Sequence, residues 1–262
     1  MRPYLLLCLL LVLFFPNTAV SAQPTETGFL NRTIGANYRY QVYVPPGYTS
    51  EKLWPVILFL HGAGERGSDG LFQTEVGLGS AIRQHVDRVP AIVVFPQSYP
   101  DTIWASSTED QALNALDRTV SEFHGDPQRL YLTGISMGGF GAWNLAVRHP
   151  EKFAAIAPIC GWIVFPTGLE KYSFPRAAAS LGQTKSPYED AAKILRKLPI
   201  WIFHGALDPL VPVTESRRMA AALKLVKADV RYSEYPQVAH NVWNNAYAEP
   251  DFFDWLLSHR KP

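Results

Sequence analysis

The chain has 262 residues, 47% of them hydrophobic, and 24 basic side chains balance 23 acidic ones to a net charge of +1. That length and composition allow a sizeable buried core, and the balanced charge leaves no basic field to draw nucleic acid. No internal repeat, low-complexity tract or Lys/Arg cluster interrupts the sequence.

At the N-terminus Arg2 precedes an apolar run from Leu5 to Phe15, too short to span a bilayer, and Ala19-Val20-Ser21-Ala22 supplies small residues. This is the pattern of a cleavable signal peptide over residues 1–22, cut after Ala22, and predicts a secreted or periplasmic protein without a stable membrane anchor. Removal of Cys8 would leave Cys160 alone, so no intramolecular disulfide can form. Cys160 closes the apolar run Ala154 to Cys160 and reads as a buried small hydrophobe. Residues 23–262 read as a single domain.

Tyr38 to Val44 alternates apolar and polar residues, as an antiparallel edge strand covered on one face does. Val56 to Leu60 and Ala91 to Pro96 are continuously apolar, as central parallel strands are. Gly79 to His85 reads as a weak helix and Glu109 to His124 as a helix, with apolar residues at Ala112, Leu113, Ala115, Leu116, Val120 and Phe123. A short strand, Arg129 to Thr133, then runs into a glycine-rich turn and the helix Phe140 to His149. Phe153 to Ile159 is the next strand. Residues 161–185 are irregular and rich in Pro, Ser and Ala, and read as an insertion or cap-like segment over the site. Then follow a helix over Tyr188 to Leu198 and a strand over Pro199 to Phe203. A helix over Thr214 to Lys227, with Thr214 as its cap, leads to a strand over Val230 to Tyr235 and a last helix over Ala246 to Leu257.

Strands alternating with helices predict an α/β fold: one doubly wound, mostly parallel sheet with helices on both faces and an antiparallel N-terminal edge strand. In such sheets ligands bind outside the carboxyl ends of the strands. The unusual loops all follow strand ends: His61-Gly62-Ala63-Gly64, Gly134-Ile135-Ser136-Met137-Gly138, His204-Gly205-Ala206-Leu207-Asp208 and Ala239-His240.

G-x-S-x-G between strand and helix is the pattern of a nucleophile elbow, which lifts a serine hydroxyl above the sheet. Ser136 is therefore the candidate nucleophile. It needs a base and an orienting carboxylate. His240 and Asp208 fill those roles by order and loop position, and Glu215 and Glu234 are poorer candidates for the carboxylate because they lie in a helix and a strand. The order Ser136, Asp208, His240 is the order this fold uses. Backbone N–H groups of Ala63 and Met137 are the candidate oxyanion hole. The loop at Gly62 lacks the Lys and spacing of a phosphate cradle, no cluster has metal-ligand spacing, and this chemistry calls for no cofactor.

Leu60-His61-Gly62-Ala63-Gly64-Glu65-Arg66-Gly67, Gly134 to Gly139, His204-Gly205-x-x-Asp208-x-x-Val211-Pro212 and Ala239-His240 together resemble the α/β-hydrolase superfamily. More narrowly they are similar to secreted esterases of the feruloyl-esterase and polyhydroxybutyrate-depolymerase-like group, with phospholipase/carboxylesterase-like and dienelactone-hydrolase-like proteins as neighbours. The resemblance implies a serine carboxylesterase acting on an ester, with feruloyl or acetyl groups of plant polysaccharide suggested by the aromatic loops. Trp104, Trp162 and Trp243 are candidate substrate-binding aromatics, Trp104 foremost, with Phe165 nearby. Glu65 and Arg66 are expected to brace the oxyanion turn. A serine peptidase of the same fold and a catalytically silent binding protein are the alternatives. Oligomeric state is not legible in the sequence.

Overall fold

The computed structural model describes residues 26–166 and 184–262. The expected signal peptide and most of the 161–185 segment lie outside the described residues. The described strands are β1 (Gly28–Ile34), β2 (Tyr38–Val44), β3 (Trp54–Leu60), β4 (Ile92–Pro96), β5 (Gly125–Ile135), β6 (Ala155–Ile159), β7 (Ile200–Gly205) and β8 (Val230–Tyr235). The helices are α1 (Leu78–Gln84), α2 (Ser107–Glu122), α3 (Met137–Arg148), α4 (Pro187–Ile194), α5 (Thr214–Leu225), α6 (Trp243–Ala248) and α7 (Phe252–Ser258).

The strands form one sheet in the order β1-β2-β4-β3-β5-β6-β7-β8. β2 is antiparallel to both β1 and β4, and from β4 to β8 all pairs are parallel. Every residue of β3 and β4 is buried, as continuous apolar runs in the middle of a two-faced sheet require. Alternation along the strands feeds two apolar layers. Leu58, Leu132, Ile156 and Ile202 face α2, α3, α4 and α5, whereas Ile57, Phe59, Tyr131 and Phe203 face α1, α6 and α7. Each such side chain withdrawn from water contributes about 1.5–3 kcal/mol before chain entropy is counted.

Three local expectations are corrected. β2 is antiparallel but not at the edge, because Gly28–Ile34 pairs outside it along its whole length. The expected last helix is two, divided where Pro250 forces Glu249 out of helical geometry (ψ 127°). Thr214 does not cap α5: it is the first helical residue, and Val213 before it makes no side-chain cap bond.

Candidate active site

The turn at Ser136 is built by close backbone approach. Ser136 has φ 54° and ψ −114°, a conformation that a non-glycine residue adopts only when its surroundings hold it there. Its amide donates to the Ile159 carbonyl at 2.9 Å, and its carbonyl accepts from Phe140 at 3.0 Å. A Cβ on Gly134 would lie 2.3 Å from the Gly138 carbonyl oxygen, and one on Gly138 would lie 1.9 Å from the Leu60 carbonyl oxygen. The motif's glycines are therefore demanded by packing of α3 against the ends of β3 and β5.

Three loops bring their side chains into one hydrogen-bonded line. His240 Nε2 lies 2.8 Å from Ser136 Oγ, and His240 Nδ1 lies 2.7 Å from Asp208 Oδ2. A carboxylate only accepts, so Nδ1 carries the proton and Nε2 accepts from the serine hydroxyl. Asp208 Oδ1 accepts from the amides of Leu210 and Val211, both at 2.9 Å. Burial by itself would raise the Asp208 carboxyl, yet hydrogen bonds from His204 and His240 outweigh it and hold it well below the usual carboxylate range. Asp208 is thus ionised wherever His240 could use it. The rival acids are engaged elsewhere. Glu234 pairs with Arg217 and Tyr232, while Glu215 accepts from the Ile163 and Val164 amides and the Tyr188 hydroxyl.

Ala63 and Met137 are each the first residue of a helical turn, where an amide has no partner within its own turn. The Ala63 turn is braced on every side. Buried His61 accepts the Ser98 amide at Nε2 (2.9 Å) and donates from Nδ1 to the Gly62 carbonyl (2.6 Å). Arg66 Nε donates to the Ala63 carbonyl at 3.0 Å, and Gln97 Nε2 donates to the Glu65 carbonyl at 3.2 Å. Burial raises the Glu65 carboxyl, opposed by hydrogen bonds from the Gly62 and Glu65 amides.

Burial also lowers the His61 imidazole to about 4, so it stays neutral as its hydrogen bonds require. The unfolded chain takes up this proton near pH 6.5 and the folded chain only near pH 4, so stability is lost as pH falls through that window. Thermal melts between these limits should show a loss on the order of 3 kcal/mol that is missing from His61→Asn, which cannot titrate. Equal pH dependence in the two proteins would contradict this.

Ser136 and His240 open into a cavity of about 370 Å³. Ala63, Glu65 and Arg66 line it together with Ile135, Trp162, Leu210, Val211 and Trp243. Trp243 stands edge-on to His240, ring centroids 5.6 Å apart, and Trp162 stacks on Phe140 at 5.3 Å. Trp104 does not line the cavity, contrary to the sequence reading. It is fully buried behind the Ala63 turn, donates its indole N–H to the His61 carbonyl at 2.9 Å, and packs against Gly141 of α3. Leu210 and Val211 were missed as wall residues, although their place just after Asp208 puts them on the rim. Phe165 meets Trp162 edge-on at 5.8 Å.

The donor atoms of Cys160, Asp208 and His240 lie within 4.8 Å of one another, close enough for a metal cage. Their chemistry favours a relay instead. Burial pushes the Cys160 thiol well up, so it stays protonated and donates to the His240 carbonyl at 3.6 Å, while His240 Nδ1 and Asp208 share a proton.

The chain is similar in sequence and in fold to known proteins. The chain is 25% identical over 222 residues to an uncharacterised secreted protein of Arthroderma benhamiae; the match takes in 76% of this chain, which spans only 22% of that relative's length. A thermostable esterase structure superposes with a TM-score of 0.72 at 27% identity, over 88% of this chain and 63% of its own. A ferulic acid esterase superposes with a TM-score of 0.68 at 17% identity, over 88% of this chain and 98% of its own, which shows the shared fold alone. A family model, the prolyl oligopeptidase family, matches residues 101–261, which include Ser136, Asp208 and His240 and most of the parallel sheet. With its α/β-hydrolase sheet, the chain belongs to the prolyl oligopeptidase family.

Proposed function

We propose that this chain is a serine hydrolase of carboxylic esters, with Ser136 as nucleophile, His240 as base and Asp208 as its orienting carboxylate. The observation that carries the reading is the line from Ser136 Oγ through His240 to Asp208, at 2.8 and 2.7 Å, opening into a mostly apolar cavity. Ser136 Oγ attacks the ester carbonyl while His240 Nε2 takes its proton. The Ala63 and Met137 amides stabilise the oxyanion. The tetrahedral intermediate collapses, the carbon–oxygen bond to the alcohol breaks, and His240 returns the proton to the departing oxygen. Water, deprotonated by His240, then attacks the acyl-enzyme, and the proton goes back to Ser136 as the acid leaves.

Trp162, Leu210, Val211 and Trp243 suit an apolar or aromatic acyl group, so feruloyl or acetyl esters of plant polysaccharide are the substrates proposed. The Leu5 to Phe15 run with its small-residue end supports export, as does the secreted relative; among the described residues no helix is long and apolar enough to cross a membrane. Trp162→Ala should raise KM for methyl ferulate about ten-fold or more while changing KM for a short acetyl ester less than three-fold. Equal effects on both would remove Trp162 from the aromatic subsite.

The family match favours a second reading, peptide or acyl-peptide hydrolysis at the same serine. A panel of methyl ferulate, acetylated xylan, short-chain p-nitrophenyl esters and acylated peptides separates the two. Ester turnover well above peptide turnover is expected, and the reverse order would establish the peptidase.

A further inference from the structure

Asp208 is gripped from a second side. His204, at the end of β7, is fully buried and precedes Asp208 by one turn of chain. Its Nε2 lies 3.3 Å from Asp208 Oδ2 and 3.0 Å from the Val211 carbonyl oxygen, and its Nδ1 lies 2.7 Å from Ser216 Oγ of α5. Both neighbours of Nε2 can only accept, so Nε2 carries a proton. Oδ2 therefore accepts the His240 Nδ1–H at 2.7 Å and faces, at 3.3 Å, the His204 Nε2–H that also points to the Val211 carbonyl, while Oδ1 receives two amides. The carboxylate side chain has no exposed surface, so no solvent competes for these sites.

We infer that His204 is a positioning residue for the hydrolysis proposed above: its Nε2–H holds Asp208 Oδ2 in line with His240 and draws off part of the carboxylate's charge. The kinetic consequence rests on the serine-hydrolase reading, whereas the tautomer follows from the geometry alone. A carboxylate that already accepts a second imidazole N–H stabilises the His240 imidazolium less, so the proton passes more readily to the departing alcohol. The same ring ties the loop bearing Asp208 to Val211 and to α5. The other ionisable groups around this pair are already balanced. Cys160, at the end of β6, is kept a thiol, and Glu234, opposite His204 on β8, is paired with Arg217 and Tyr232.

Two measurements test this. In the wild-type protein, ¹⁵N-histidine NMR near neutral pH should show His204 protonated at Nε2; an unprotonated Nε2 would overturn the inference whatever the enzyme hydrolyses. In kinetics, His204→Leu should move the acid limb of kcat/KM upward by about half to one pH unit and lower kcat roughly ten-fold, with KM little changed. His204→Gln, which keeps an N–H donor, should bring the limb back toward wild type. A folded His204→Leu whose acid limb stays in place or moves down would overturn the positioning role. If the leucine variant does not fold, the wild-type tautomer and the glutamine profile decide. Absence of any ester or peptide turnover in the wild type would instead count against the hydrolase reading, and leave the NMR result to stand or fall separately.

Discussion

Ser136→Ala is expected to lower kcat for p-nitrophenyl acetate by about 10⁴- to 10⁶-fold, leaving a residual rate from the oxyanion donors and the cavity. The size of the loss follows from the geometry. Ser136 Oγ is the hydroxyl on which His240 Nε2 bears, and His240 is committed on its other side to a buried, ionised Asp208. Removing the hydroxyl leaves this relay with nothing to activate. His240→Ala should cost nearly as much, and the double variant little more, because the groups act as a unit. Purified variants compared at saturating ester, with folding checked by circular dichroism, give the measurement. A Ser136→Ala protein that retains the wild-type rate would remove Ser136 from the reaction.

Gly138→Ala should be the most damaging single methyl addition near the site. The new Cβ would stand 1.9 Å from the Leu60 carbonyl oxygen and 2.7 Å from that of His61, both main-chain atoms that cannot swing aside. Either α3 moves away from β3 or the turn at Ser136 opens, and both unmake the relay. Destabilisation of about 3–5 kcal/mol is expected, together with loss of ester turnover by more than about 10³-fold in whatever folded protein remains. Gly64→Ala is the matched control, since a Cβ there meets nothing within 4 Å. Chemical denaturation of the two variants beside wild type decides it. A Gly138→Ala protein as stable as Gly64→Ala would mean that the elbow is looser than its backbone contacts indicate.

The sheet was legible because β3, β4 and the Ile200 to Phe203 part of β7 are uninterrupted apolar runs, and only a strand buried on both faces needs that pattern. β1 escaped notice because its sequence, Gly-Phe-Leu-Asn-Arg-Thr-Ile, carries polar residues on an edge where solvent accepts them. The four loops on the carboxyl rim could be read from Gly134, Gly138 and the His-Gly-x-x-Asp run, since tight turns limit the residue types that fit. The pocket walls could not. Trp104 and Trp162 are both aromatic residues in loops after strands, yet one is wedged behind the Ala63 turn and the other lines the cavity. That difference depends on the packing of α3, through Gly141 and Phe140, and leaves no local mark in the sequence. His204 was visible only as the first residue of the His-Gly-x-x-Asp run, with no role of its own; its approach to Asp208 needs the loop from Gly205 to Val211 to fold back over the ring.

The most direct test of the account is to trap the acyl-enzyme. The protein mixed with excess p-nitrophenyl ester should release a burst of nitrophenol matching the enzyme concentration, and acid-quenched digests should carry one acyl group on the peptide containing Ser136. His240→Ala should give neither burst nor adduct. An adduct on another residue, Cys160 included, or steady ester turnover with Ser136 never acylated, would contradict the account.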